Sequence, residues 1–192
     1  MFTKAKELQP DHQNSYYNLA LIKKEKGQSE EALDYLLKVF DLNPEHSEAN
    51  YLKWLVYASL GRFAEGWKYF EYRWKVSPQN KVVWPCRDKP VWKGEMGGHV
   101  VLWKEQGIGD QIIFLSLLPE VKEMCETLSV YVDPRLHSLC RRAMPEINFV
   151  KDIEELKEVD SDYHLPLGSV PGLIRNDISD FDRTVTGYFK AD

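Results

Sequence analysis

A helical repeat array followed by a parallel-sheet α/β domain is the architecture this sequence predicts. Three observations predict it: a 34-residue internal period, a Pro- and Gly-rich break after Pro78, and alternating strand and helix patterns thereafter.

The period comes first. Pro10, Pro44 and Pro78 are spaced by 34 residues, as are Gly27 and Gly61, and Ala32 pairs with Gly66 at the same offset. A mid-unit Gly with a terminal Pro at this spacing is the tetratricopeptide pattern. Repeats then run over 13–46 and 47–78, with the tail of a preceding unit over 1–12, where Ala5 and Leu8 stand at the offsets of Val39 and Leu42. The chain is thus expected to open inside a repeat, with further units upstream.

Each element of a unit has a physical reason. Gly27 and Gly61 close first helices, where a left-handed residue suits a side chain without Cβ. Ala32 and Gly66 are small where helices cross. Pro44 and Pro78 stop second helices, because proline lacks an N–H and disfavours helix in the preceding residue. Helices are expected near 13–26, 29–42, 47–60 and 63–76. Tyr16, Leu19 and Ala20 form the inner stripe of the first helix, and Ala32, Leu36 and Val39 that of the second. Trp67, Phe70 and Trp74 continue the stripe in the last. Trp54, Trp67 and Trp74 are read as packing residues, since large aromatics at helical spacing are usually core. Asn18 and Lys53 are the candidate groove residues, on first helices whose outward faces line a concave, peptide-binding surface.

Residues 79–98 form a connector, with Pro85, Pro90 and the Gly97-Gly98 pair and no helical period. Trp84 and Trp92 are expected to pin it to one side or the other. The domain over 99–192 begins with HVVLW (99–103), an apolar run suited to a buried parallel strand. The turn Gly107-Ile108-Gly109-Asp110 follows, then a helix from Gln111 to Cys125 interrupted by Pro119. Strands are expected at 127–134, 147–150 and 163–165, with a helix over 135–144. The interval 151–162, with six Asp/Glu against two Lys, reads as a solvated helix or loop.

Ligands of open α/β sheets lie beyond the carboxyl ends of the strands, where the Gly107–Asp110 turn falls. Its glycines let a backbone approach a ligand, and the helix start offers free N–H groups. Asp110 suits two roles that are not exclusive: N-cap of that helix and catalytic base.

Composition narrows the rest. With 192 residues, 43% hydrophobic and 29% charged, the chain has the balance of a globular protein. It shows no apolar run long enough for a membrane span and no signal peptide, so a cytoplasmic setting is expected. Net charge is zero over 1–78 and −5 over 79–192, with no basic stripe for nucleic acid. Cys86, Cys125 and Cys140 lack metal-ligand spacing. His137 and Cys140, three apart, supply only two of the ligands zinc demands, so no metal is expected.

The words FEYRW (70–74), PVWKGE (90–95), LWKEQGIGDQIIF (102–114), VDPRL (132–136), HLPLGSVPGL (164–173) and YFKAD (188–192) carry a family resemblance. The chain resembles bacterial proteins in which tetratricopeptide repeats precede a glycosyltransferase-like domain related to the family 9, heptosyltransferase-type enzymes. The resemblance implies a GT-B architecture, of which 99–192 would be the N-terminal, acceptor-side Rossmann-like half. It implies Asp110 as the base that takes the proton from the acceptor hydroxyl, with Gln106, Gly107, Gly109 and Gln111 shaping the acceptor site. Glu105 is the alternative carboxylate, read as a hydrogen-bonding strut. The nucleotide-sugar donor would belong to a further C-terminal domain, no cofactor being bound tightly by this chain, which is expected to be an inactive fragment alone. The repeats would present a protein, peptide or glycan acceptor. The competing reading is a non-catalytic interaction scaffold whose α/β domain is degenerate. A nucleotide-binding Rossmann protein is a third reading, disfavoured by the missing third glycine, although Asp133 lies where a ribose ligand would be expected.

Overall fold

A computed structural model describes residues 13–76, 84–86, 88–182 and 187–189. Pro10, Pro78, the partial repeat over 1–12 and the last residues of YFKAD lie outside them. The chain divides into two compact units, a helical one built from 13–76 together with 175–181, and an α/β one built from the remainder.

The helical unit contains α1 (Gln13–Glu25), α2 (Ser29–Leu42), α3 (Ser47–Ser59), α4 (Phe63–Phe70) and the short α5 (Arg73–Val76). Gly27 (φ 72°) and Gly61 (φ 70°) take the left-handed conformation that the spacing demands. Ala20, Ala32, Leu36, Val39, Ala49 and Val56 are fully buried and form its core. At the α3–α4 crossing, a Cβ on Gly66 would lie 2.9 Å from the Trp54 ring and 3.1 Å from Tyr57 Cβ. Trp54 stacks on Trp67 with ring centroids 4.3 Å apart, so both serve the packing between these helices.

The expected single helix over 63–76 is instead two. Tyr72 N–H donates to the Tyr69 carbonyl, Trp74 N–H to Glu71 and Lys75 N–H to Tyr72, all three residues back, which tightens the chain into a turn. Buried Arg73 then gives its Nη1 to the Phe70 carbonyl at 3.3 Å, while its guanidinium lies over the Phe70 and Trp74 rings at 4.2 and 4.3 Å. The guanidinium thus takes an acceptor that Trp74 N–H would use in a continuous helix. Trp74 is only half-buried, and its indole donates to the Glu71 carboxylate.

The α/β unit is a four-stranded parallel sheet in the order β3-β2-β1-β4, from β1 (His99–Trp103), β2 (Thr127–Tyr131), β3 (Asn148–Val150) and β4 (Tyr163–Pro166). Val101 pairs with Ser129 on one side and His164 on the other. Helices α6 (Ile108–Leu115) and α7 (Leu118–Met124) connect β1 to β2. Helix α8 (Pro134–Ala143) connects β2 to β3, α9 (Ile153–Lys157) precedes β4, and α10 (Pro171–Ile174) follows it. Strand β1 is buried on both faces, as a central parallel strand must be. Val100 and Leu102 join the main core with Leu115, Leu118, Val130 and Phe149.

Trp103 points to the opposite face, where its indole N–H donates to His164 Nδ1 at 3.0 Å and Trp84 lies 5.4 Å away. The segment after Trp84 is fastened to the edge of the sheet. Trp92 N–H donates to the His164 carbonyl and His164 N–H to the Pro90 carbonyl, and Trp92 is buried. These bonds place the described end of the connector with the α/β unit.

The helix expected over 111–125 begins earlier, at Ile108, and breaks at Ser116–Leu117 rather than at Pro119 itself. Pro119 cannot donate to Leu115, so Ser116 and Leu117 close the first helix with three-residue-back bonds, and proline occupies the second helix's opening turn. Asp110 is therefore not an N-cap. Gly107 holds that position in extended conformation, and Asp110 is the third residue of α6.

Candidate active site at the carboxyl edge of the sheet

The strand order reverses between β1 and β4, the point at which open α/β sheets bind their ligands, and the loop after β1 (104–107) and the 3-10 turn after β4 (Leu167–Ser169) flank it. Local bonds hold that loop. Lys104 N–H donates to the Tyr131 carbonyl and prolongs the β1–β2 ladder by one residue. Gln111, 2% exposed, donates its amide to the Gln106 carbonyl and accepts from Asp133 N–H, both at 2.8 Å. One buried side chain thereby joins the loops after β1 and β2. On the other side, the Glu105 carboxylate and the Gln106 amide converge on Gly168, where an added Cβ would collide with Glu105 Oε1 and lie 3.3 Å from Gln106 Nε2.

Asp110 is exposed, on the first turn of α6, and its carboxylate forms no hydrogen bond or ion pair among the described residues. One oxygen lies 3.4 Å from where a Cβ on Gly107 would sit, so the side chain folds back over the turn. Ile112 and Ile113 follow it with 38% and 67% exposure. Gly107 has φ −60°, and Gly109 is outside the left-handed region. A Cβ on Gly109 would meet nothing within 4 Å. Neither backbone conformation nor packing among the described residues therefore requires glycine at 109, although in a helix it is less favourable than Ala by up to ~1 kcal/mol.

Asp133 caps α8, accepting from Arg135 N–H at 3.0 Å and from its guanidinium at 2.8 and 3.1 Å. The guanidinium bond holds the carboxyl far below the usual carboxylate range, with Lys104 3.9 Å away adding to the effect. Its oxygens are committed to that pairing. The structure thus draws Glu105, Gln106, Gly107, Gly109, Asp110 and Gln111 to one edge, together with Gly168 and Asp133. Glu105 and Gly168 meet through a contact spanning 63 positions, which no local spacing announces. The glycine in HLPLGSVPGL was the only trace of it.

The repeat unit carries a separate hollow of about 550 Å³ lined by Gln13, Asn14, Tyr17, Asn18, His46 and Glu48, among others. Tyr17 stacks on His46 at 5.4 Å, and burial pushes its phenol above the ordinary value. Asn18 is in this hollow. Lys53 is not: its ammonium lies over Tyr69, Phe40 and Tyr57 at 4.6, 4.9 and 5.8 Å. His137 Nε2–H donates to the Phe149 carbonyl at 2.9 Å, and Cys140 is fully buried. Among the described residues no group of three or more His, Cys, Asp or Glu could hold a metal ion, and no helix is long and apolar enough to cross a membrane.

The repeat is matched independently. The family described as Tetratricopeptide repeat matches residues 13–46. Those residues are a tetratricopeptide repeat. Over 154 residues the chain is 25% identical to Protein FlbA of Caulobacter vibrioides, covering 76% of this chain and 26% of that protein. The chain thus spans about a quarter of the length of the curated relative it matches. Among solved structures it is similar to a mutant O-GlcNAc transferase of Thermobaculum terrenum, at 16% identity and a TM-score of 0.37, covering 79% of this chain and 36% of that one. Similarity that distant transfers no residue's role.

Proposed function

We propose that this chain supplies the tetratricopeptide repeats and the acceptor-side α/β domain of a glycosyltransferase-like protein of the GT-B, heptosyltransferase type. Asp110 is the general base in this reading. Its carboxylate takes the proton of an acceptor hydroxyl as that oxygen attacks the anomeric carbon of a nucleotide-sugar, and the nucleoside diphosphate leaves with the bonding pair. The donor is held by a further domain of the longer protein, and the repeats bring a protein, peptide or glycan acceptor. Gln106, Gly107 and Gly109 border the acceptor, and Gln111 fixes the loop that carries them.

The observation that carries this reading is Gly109 beside an exposed Asp110, unpaired among the described residues, at the sheet's reversal point. A glycine that packing does not require, next to a carboxylate no neighbour uses among the described residues, fits a turn shaped for close approach by a substrate.

The test is nucleoside diphosphate release from a panel of nucleotide-sugars by the longer protein that contains this chain. Asp110→Asn is expected to lower turnover by about 10²–10⁴-fold, the usual contribution of a positioned base. Gly109→Val should lower it as well while leaving thermal stability within about 1 kcal/mol of the parent. Full turnover by Asp110→Asn would remove Asp110 from the chemistry.

The hollow around Asn18 favours a second reading, a non-catalytic scaffold that binds an extended partner through its repeats. There, no nucleotide-sugar is consumed, and Asp110→Asn leaves partner binding unchanged.

A further inference from the structure

Within the helical unit, residues 175–181 lie against the last repeat, and the 34-residue offset reveals which position they take. In the first repeat, Ser29 opens α2 and its hydroxyl meets that of Ser59, in the first helix of the following repeat, at 2.9 Å. The residue 34 positions later is Phe63, which opens α4. The two helix starts have the same geometry, with N-cap Gln28 at φ −88°, ψ 61° and N-cap Arg62 at φ −89°, ψ 60°. Phe63, however, meets Phe181, with ring centroids 4.7 Å apart. One turn on, the Trp67 indole N–H donates to the Arg175 carbonyl at 2.6 Å, and Ala64 N–H donates to the Asn176 carbonyl at 3.1 Å. Ile178 Cδ1 reaches the end of α3 at Gly61.

We propose that Arg175–Phe181 stands in for the first helix of a further repeat and closes this end of the array. A solenoid end presents a face made to be covered by the next unit and needs a cap to stay soluble and folded. Two consecutive carbonyls of this segment take donors from α4, one of them the N–H of Ala64, among the orphan donors that every helix start leaves.

The segment is also ordered by its own bonds, as a plug should be. The Asp180 carboxylate accepts from Asn176 N–H and Asp177 N–H, both at 2.9 Å. Asp177 accepts from the N–H and hydroxyl of Ser179 at 2.9 and 2.7 Å. Arg175 is buried at 3% exposure, with its guanidinium 6.0 Å from the Phe181 ring. Ile178 and Phe181 are 62% and 47% exposed, so replacing them alters the segment's grip without emptying a core.

The experiment is hydrogen exchange on the whole chain, comparing the parent with the double variant Ile178→Ser, Phe181→Ser. Amides of 63–70 are expected to exchange at least about 10-fold faster in the variant, while those of 29–42 keep their rates. Phe181→Leu, which retains an apolar contact with Phe63, should keep most of the protection. Unchanged exchange over 63–70 in the double variant overturns the proposal. Protection of 63–70 that rises with concentration of the parent chain would also overturn it, because a second copy would then cover this face.

Discussion

Gly66 and Gly109 occupy helices for opposite reasons. Gly66 is required by packing, because any Cβ there would overlap the Trp54 ring and Tyr57, neither of which is the free end of a flexible chain. Gly66→Ala gains up to ~1 kcal/mol of helix propensity but meets an overpacking penalty of ~1–3 kcal/mol. A net loss of up to about 3 kcal/mol is expected from denaturant unfolding. Gln111→Leu keeps the shape of the side chain and leaves Asp133 N–H and the Gln106 carbonyl unpaired near the sheet edge. A loss of about 1–3 kcal/mol is expected by the same measurement, together with faster exchange of the Asp133 amide.

His164 gives the pH dependence a sign. The Trp103 indole can only donate, so Nδ1 must accept and the ring proton sits on Nε2. Burial pushes the imidazole below its ordinary value, opposed by the Asp88 carboxylate and a hydrogen bond to the Lys89 main chain. The unfolded chain therefore takes up this proton first, near pH ~6.5. The contribution is whole above that pH and declines as pH falls below it, since charging Nδ1 confronts the indole N–H with a second donor. Unfolding midpoints measured from pH 7.5 to 5.5 should fall more steeply in the parent than in His164→Gln.

At the level of elements, the sequence was most legible where structure is local. The 34-residue period located α1 to α3 within a residue or so, because each glycine and proline acts on its own turn. Strands β1, β2 and β4 were readable as short apolar runs between turn residues. Both misread helices ended where a side chain intervened in the ladder. Arg73 took the Phe70 carbonyl in one, and the hydroxyl of Ser116 bonded the Ile113 carbonyl at 2.6 Å in the other. Asp110 was misplaced as a cap because α6 starts two residues before it, at Ile108, and its N-cap is Gly107, a position usually held by a side chain that can accept. The site was legible as a turn at the end of β1. Its supports were not: Gln111 to Asp133 and Glu105 to Gly168 join residues far apart in sequence, and such pairs exist only once the chain has folded.

Across the whole molecule, the two units differ in what fixes them. Helices of the array depend on their neighbours, so the end at α4 is the element most exposed to loss of cover. The sheet depends on non-local parallel pairing, and every strand connection passes through at least one helix. Loosening residues 175–181 is therefore expected to act on α4 and leave β1 protection intact, which the exchange experiment reads in the same samples.

The three thiols offer a practical opening. Cys86, Cys125 and Cys140 are all buried, and burial pushes each above the ordinary thiol range, Cys140 to about 11. Thiolate is the reactive species, so the folded chain should resist maleimide at neutral pH and label only upon denaturation. A cysteine placed at exposed Ile113 would then be a single addressable handle beside Asp110. A fluorophore or spin probe attached there could report what approaches that turn, without removing any native sulfur.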